Sequence, residues 1–272
     1  MYLGVDVGGT KTLVASLTNA GVITEQQKFP TNPTYSLFLK ELRESIESLA
    51  VKDFQAGGIA VPGLIDRTRG IGLACGNLPW KRIPVEADLE HIIKAPVVVD
   101  NDANLAALSE AMLLKHKYNV VLYATFGTGI GTGVIVNRQI NPVYEDMEGG
   151  LMKLEFNNRL LPWQDFASGK AIFKRFGKRM AEIEDAHTLK LISRDIALGL
   201  QSLIAIVQPE VIVLGGGVAT YYDKFKPYLK SELKKYETPL TKTPPIRKAQ
   251  RPEEAVLYGC YDLAKERYGK SS

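Results

Sequence analysis

The sequence predicts an α/β fold in two halves that open alike. Three observations carry this. A strand, a glycine turn and a second strand fill residues 2–17, and the same pattern returns at residues 120–136. After each opening, β-type apolar runs alternate with stretches whose apolar residues recur at helical spacing. A third glycine cluster, Gly215-Gly216-Gly217, stands between an apolar run and a helix-type segment. A weak internal duplication of this kind speaks to architecture before any single residue does.

The elements follow in chain order. Residues 2–7 form a β-type run that ends in Gly8-Gly9-Thr10, and residues 12–17 form a second. Asn19-Ala20-Gly21 is a turn signal, and Val22-Ile23-Thr24 begins a third strand. Residues 35–50 carry Leu37, Phe38, Leu42, Ile46 and Leu49 at helix spacing. Strands are expected at 57–61, ending in Pro62-Gly63, and at 96–99, ending in Asp100-Asn101-Asp102, with a helix at 103–114. The second half repeats the opening with strands at 120–125 and 133–136 around Gly127-Thr128-Gly129, then a turn at Asn137-Arg138. Helices are expected at 168–184 and 189–207, a strand at 211–214, and helices at 219–235 and 252–267, with 239–245 the most linker-like stretch.

Composition narrows the function classes. The chain has 272 residues, enough for one large domain or two ordinary lobes. A net charge of +4 without a dense Lys/Arg block gives no argument for nucleic acid. The Lys-rich segment 226–248 reads as a solvated helix face and its following loop. The two cysteines, Cys75 and Cys260, are unpatterned and support neither a disulfide framework nor a metal site, which fits a reducing, cytoplasmic setting. Asp6 lies inside the first apolar stretch and no basic segment precedes it, so the amino terminus does not read as a signal peptide. The longest uncharged stretch, 119–137, contains four glycines and three threonines and reads as paired strands rather than a membrane helix.

Each glycine cluster has a plain reading and a chemical one. In Asp6-Val7-Gly8-Gly9-Thr10-Lys11, small residues let backbone N–H groups approach a phosphate, and Asp6 is an oxygen ligand for Mg²⁺, directly or through water. An ordinary hairpin turn is the alternative. Gly127-Thr128-Gly129-Ile130-Gly131-Thr132-Gly133 lacks the dinucleotide spacing and is followed by a strand. It suits a backbone clamp on the outer phosphates of a nucleotide, or a structural hairpin. Gly215, Gly216 and Gly217 let a flat group such as adenosine pack on the backbone, or simply let strand and helix approach. No Walker sequence is present. Together these features count against a dehydrogenase and a P-loop enzyme.

The order of these motifs resembles that of the sugar-kinase/actin/heat-shock-protein ATPase superfamily, and within it the chain resembles the ROK family (repressors, open reading frames and kinases). The resemblance rests on residues 4–12, on Val61-Pro62-Gly63, on Gly76-Asn77-Leu78-Pro79-Trp80, on residues 100–110 with their Asn101-Asp102-Ala103-Asn104 core, on the hairpin 127–133 and on residues 214–217. It implies a two-lobed actin-like (ribonuclease H-like) α/β fold around a central cleft. Residues 1–112 with 250–272 are expected to form the small lobe, on the sugar and first-phosphate side. Residues 113–249 form the large lobe, on the second-phosphate and adenosine side. It also implies a hinge near Leu113 and Ala249, and a homodimer.

By the same resemblance the chain transfers the γ-phosphoryl group of Mg·ATP to a hexose, most simply to the 6-hydroxyl of glucose. Asp102 is the general base, although a helix-capping role is open to it. Asn101, Asn77, Gly63, Glu148 and Gln164 are the sugar contacts. Asp6, Gly8, Gly9, Thr10, Lys11, Gly127, Thr128, Gly129, Gly131 and Gly215 to Gly217 hold the nucleotide. Trp80 reads as core. The chain departs from the family pattern at Leu151, where a His is usual, at Gln164, where a Glu is usual, and in lacking the family's Cys-rich zinc motif. Each lost hydrogen bond to a sugar hydroxyl costs roughly 1–3 kcal/mol. The departures leave the sugar unassigned and keep alternatives open: an N-acetylhexosamine, mannose or fructose kinase, a polyphosphate-using kinase, or a sugar-binding regulator without efficient turnover. A repressor is disfavoured because the phosphate strand begins at residue 2.

Overall fold

A computed structural model describes residues 1–251 and 253–269. The chain divides into two compact units, Met1–Ser109 together with the segment from Glu254 onward, and Glu110–Glu253.

In the first unit, β1 (Tyr2–Val7), β2 (Lys11–Leu17) and β3 (Ile23–Pro30) form an antiparallel meander, followed by helix α1 (Tyr35–Ser48). Strand β4 (Ala56–Val61) returns parallel to β1. Three short strands, β5 (Leu64–Asp66), β6 (Ile71–Ala74) and β7 (Lys81–Ile83), make a small separate antiparallel sheet. Helix α2 (Val85–Ile93) leads to β8 (Val97–Asn101), parallel to β4, and α3 (Asp102–Leu113) carries the chain into the second unit. The main sheet therefore runs β3-β2-β1-β4-β8. Every residue of β4 is buried, as expected of a central strand covered on both faces. Helix α1 buries Phe38, Leu42 and Ile46, spaced four apart on one face.

The second unit repeats this plan. Strands β9 (Val120–Phe126), β10 (Ile130–Val136) and β11 (Gln139–Ile140) form a second meander. After a 3₁₀ turn at Gly149–Leu151 comes a hairpin, β12 (Lys153–Phe156) and β13 (Arg159–Pro162). Its turn, Asn157-Asn158, has both residues at positive φ, the signature of a tight two-residue hairpin loop. Helices α4 (Gln164–Ala167), α5 (Gly169–Phe176) and α6 (Ala186–Val207) follow, then β14 (Val211–Gly215), α7 (Gly216–Ala219), α8 (Tyr222–Lys234) and β15 (Ile246–Lys248). The last helix, α9 (Ala255–Tyr268), belongs to the first unit and lies across β1, β4 and β8. The second sheet runs β11-β10-β9-β14-β15, with the same succession of antiparallel and parallel neighbours as the first.

The structure adds elements that the sequence reading did not expect, β5 to β7, α2, β11 to β13 and β15, starts β10 at Ile130 rather than 133, and shifts three helix boundaries. The helix expected at 168–184 stops at Phe176, where Gly177 adopts φ +66° and ends it, and a separate 3₁₀ turn follows at Met180–Glu182. The helix expected at 219–235 begins at Tyr222, after the short turn of α7. The last helix begins at Ala255, and its expected first residue, Pro252, lies outside the described residues. Among the described residues no helix is long and apolar enough to cross a membrane.

Candidate active site

In the first unit, the β1–β2 turn is closed by the Gly8 N–H donating to the Lys11 carbonyl at 3.0 Å. Thr31 fastens it from outside: its Oγ1 donates to the Gly8 carbonyl at 2.8 Å, and its N–H donates to the Thr10 carbonyl at 3.1 Å. Thr10 and Lys11 are exposed at the tip. Asp6 is the single residue of β1 that is not fully buried. Asn77 stands beside this turn, its Cβ 3.7 Å from where a Cβ on Gly9 would lie. Gly63 follows β4 with φ +98°, a backbone that favours glycine, and lies against the backbone of Ala74 and Gly76, which brings the loop before Asn77 close. Trp80 is buried, donates its indole N–H to the Pro33 carbonyl at 2.9 Å and packs on Phe38, as a core residue does.

The β8–α3 junction holds the acidic group. Asn101 caps α3, its Oδ1 accepting from the Ala103 N–H at 2.8 Å, while its Nδ2 donates to the Gly63 carbonyl at 3.1 Å. The same Ala103 N–H reaches Asp102 Oδ1 at 2.8 Å. Burial pushes the Asp102 carboxyl above the ordinary carboxylate range, against the pull of that N–H. Asp6 is pushed up to about 7, first by burial and then by the neighbouring Asp102 charge, with Lys11 opposing. Gly8, Gly9, Asn77, Asp6, Asp102, Asn101 and Gly63 are thus brought together in one unit.

These residues fit a magnesium ion. Asp6 is a hard oxygen donor whose raised pKa comes first from burial and second from the Asp102 charge, and a divalent cation would favour its ionised form. Mg²⁺ characteristically binds through one or two carboxylates, completed by waters and phosphate oxygens. No group of three or more His, Cys, Asp or Glu suited to a metal occurs among the described residues. Cys75 and Cys260 are both buried free thiols.

In the second unit, β9 and β10 meet at Gly127-Thr128-Gly129, where the Gly127 N–H donates to the Gly129 carbonyl at 3.0 Å. Thr128 is exposed at the tip, and Gly131 pairs with Thr125 further down the ladder. The start of α5 seats on this turn, with the Lys170 N–H donating to the Gly127 carbonyl at 3.3 Å. Gln164 faces the hairpin, its Oε1 3.5 Å from the Ile130 N–H. Glu148 is exposed, just before the 3₁₀ turn. Buried Thr132 holds that segment, its Oγ1 accepting from the Gly149 N–H at 3.0 Å and donating to the Met147 carbonyl at 3.3 Å.

The three glycines after β14 have separate reasons. A Cβ on Gly215 would enter the Tyr123 ring, and Gly216 takes φ +78° beside the backbone of Phe126. Nothing lies within 4 Å of a Cβ on Gly217 or on Gly127, so both border open space. The parallel pairing of Gly215 with Thr125 sets the glycine cluster next to the base of the hairpin.

Four residues beside these elements carry no site signal of their own in the sequence: Thr31, Tyr123, Thr132 and Arg67, whose guanidinium pairs with Asp100 at the end of β8. The pattern offered no signal for Thr31 or Arg67, which reach the site from loops far along the chain. Thr132 lies inside the glycine-rich run that was singled out.

The ROK family model matches residues 2–267. The chain belongs to the ROK family. It is 26% identical to the glucokinase of Streptomyces coelicolor over 316 aligned residues, 98% of each chain. It is 25% identical to an N-acetyl-D-glucosamine kinase of Haemophilus influenzae over 97% of this chain and 99% of that one. The ROK family glucokinase of Streptomyces griseus, solved with glucose and AMPPNP, superposes with a TM-score of 0.82 at 23% identity, covering 97% of this chain and 99% of that one. The fold is that of the actin-like ATPases. In this ROK chain Leu151 is 53% exposed, so its methyl groups meet solvent where the family usually carries a His.

Proposed function

We propose that this ROK protein is an ATP-dependent hexose kinase, with the 6-hydroxyl of a glucose-type sugar as acceptor. The observation that carries this reading is the β8–α3 junction, where Asp102 has a raised pKa and stands beside Asp6 and a glycine turn. Asp102 is the base that accepts the proton of the attacking hydroxyl, and its raised pKa makes it a stronger acceptor than an ordinary carboxylate. Asn101, fixed by the Gly63 carbonyl, and Asn77 orient the sugar, with Glu148 and Gln164 as further contacts. The two turns take the phosphates: Gly8 and Gly127 close the turns with their own N–H groups and leave room for close approach, and Gly9, Thr10 and Lys11 in one and Thr128, Gly129 and Gly131 in the other contact the phosphates. The open face at Gly217 takes the adenosine. Asp6 would hold a magnesium ion, directly or through water, and that ion would supply charge neutralisation for the transferred phosphoryl group. The relatives' names support the reaction class, and the AMPPNP of the Streptomyces griseus glucokinase supports ATP as donor. The small lobe is assigned to sugar and first phosphate, the large lobe to second phosphate and adenosine. The working form is a cytoplasmic homodimer without zinc.

A second reading, a sugar-binding regulator with little turnover, is favoured by Leu151 and by the turn of Gln164 toward the hairpin backbone. A panel of hexoses and N-acetylhexosamines, incubated with either ATP or polyphosphate and assayed for sugar phosphate, separates the two. The kinase reading expects ATP-dependent product with at least one hexose. Sugar binding without product under every condition overturns it.

A further inference from the structure

Asp100 stands directly before the capping residue Asn101, is 4% exposed, and has no part in the reaction as proposed. A second carboxylate two residues from Asp102 would ordinarily repel the base's charge. Arg67, from the loop after β5, supplies the opposite charge to Asp100. Its Nε donates to Asp100 Oδ2 at 3.0 Å and its Nη2 to Asp100 Oδ1 at 3.0 Å, a two-point guanidinium–carboxylate fork. The side chains are 15% and 5% exposed, so the pair is shielded from water. Asp100 Oδ1 also accepts from the Asn101 N–H at 2.7 Å and from Asn104 Nδ2 at 3.1 Å. The neutralised carboxylate therefore grips the backbone at the strand end and a side chain in the first turn of α3. Between those two grips lie Asn101 and Asp102.

We propose that Arg67 and Asp100 are positioning residues that fix the acceptor side of the site, setting Asn101 and Asp102 at the start of α3. The inference rests on the kinase reading for the roles of those two residues. Arg67 acts through Asp100, and Asp100 acts through the Asn101 backbone. A misplacement of about 1 Å at a reacting group costs roughly 10²-fold in rate. A lysine cannot reproduce the fork, so charge alone does not suffice at position 67.

The test compares the full-length protein with R67M, R67K, D100N and the double variant R67M/D100N. It measures kcat, KM for the best hexose, KM for ATP, glucose affinity by calorimetry and Tm. R67M leaves a buried carboxylate without its partner, so it loses Tm, and R67M/D100N recovers Tm because that charge is gone. The inference expects hexose kcat/KM to fall roughly 10²-fold in R67M and to stay low in R67M/D100N although Tm returns. It expects the ATP KM to hold within about twofold of wild type, and R67K to fall between wild type and R67M. Recovery of Tm and hexose kcat/KM together in the double variant overturns positioning in favour of a purely structural role, and so does R67M at wild-type kcat/KM. If R67M does not fold, R67K and the double variant carry the same comparison. If the wild type binds glucose without turnover, the kinase reading fails, and weaker glucose binding in the double variant still supports the positioning of Asn101. If the wild type neither binds nor phosphorylates a hexose, both fail.

Discussion

The two glycine turns share one backbone plan and differ in their chemistry. Each joins the first two strands of a five-stranded sheet with the same strand succession, β3-β2-β1-β4-β8 in one unit and β11-β10-β9-β14-β15 in the other. Around the first turn stand two carboxylates, Asp6 and Asp102, both with raised pKa. Around the second stand neutral groups: the Gln164 amide, the Lys170 backbone N–H and open space at Gly127. The two hairpins thus share a backbone plan, while the pair of raised carboxylates, Asp6 on β1 and Asp102 at the start of α3, stands at the first; under the proposed function both turns would face phosphates and the first would carry the base and metal chemistry. The sharpest way to break this contrast is to remove the base. Asp102→Asn keeps the shape and the cap but not the proton acceptor, and kcat is expected to fall about 10²–10⁴-fold with ATP affinity unchanged. Steady-state rates together with a nucleotide titration check this, and near-native kcat would assign the proton elsewhere.

A smaller effect is expected from the fold beside the second turn. Gly215→Ala drives a Cβ into the Tyr123 ring, and overpacking of this kind costs about 1–3 kcal/mol. Chemical denaturation measures the loss. An unchanged midpoint would mean that Tyr123 moves aside freely.

The first turn also makes a pH prediction. Asp6 rises from 3.8 to about 7 on folding. A raised carboxyl contributes stability that is full below the unfolded value and is lost as pH climbs through the folded one. In EDTA, the wild type should therefore lose Tm between about pH 4 and pH 7. Asp6→Asn should flatten that slope and exceed wild type at pH 8. Parallel slopes would remove Asp6 as the cause. The smallest effect concerns zinc: in magnesium-free buffer at fixed pH, EDTA should leave Tm unchanged, and elemental analysis should find no zinc near one per chain.

Much of this arrangement was legible in the sequence, for physical reasons that vary by element. Strand β1 matched its expected bounds, because a central strand covered on both faces is a continuous apolar run. The duplicated hairpins were visible because glycine interrupts such runs sharply. Strands β5 to β7 were not, since three or four residues are too few to show a period. Helix α2 does carry a helical period, Val85, Leu89 and Ile93, but over only nine residues. At the candidate site, the conformations at Gly63, Asn101 and the two turns follow from local sequence. The Arg67–Asp100 fork and the Thr31 tether span 33 and 23 residues and depend on tertiary placement, which no local pattern encodes.

The central claim is the division of labour between the two turns, and calorimetric titration with AMPPNP tests it most directly on Asp102→Asn and Gly127→Ala side by side. A Cβ on Gly127 meets nothing in the protein, so that variant folds normally and intrudes only on a ligand. The account predicts that Asp102→Asn binds AMPPNP as the wild type does, while Gly127→Ala binds roughly 10-fold more weakly, a loss of about 1.4 kcal/mol. Wild-type affinity in Gly127→Ala together with a comparable loss in Asp102→Asn would contradict it.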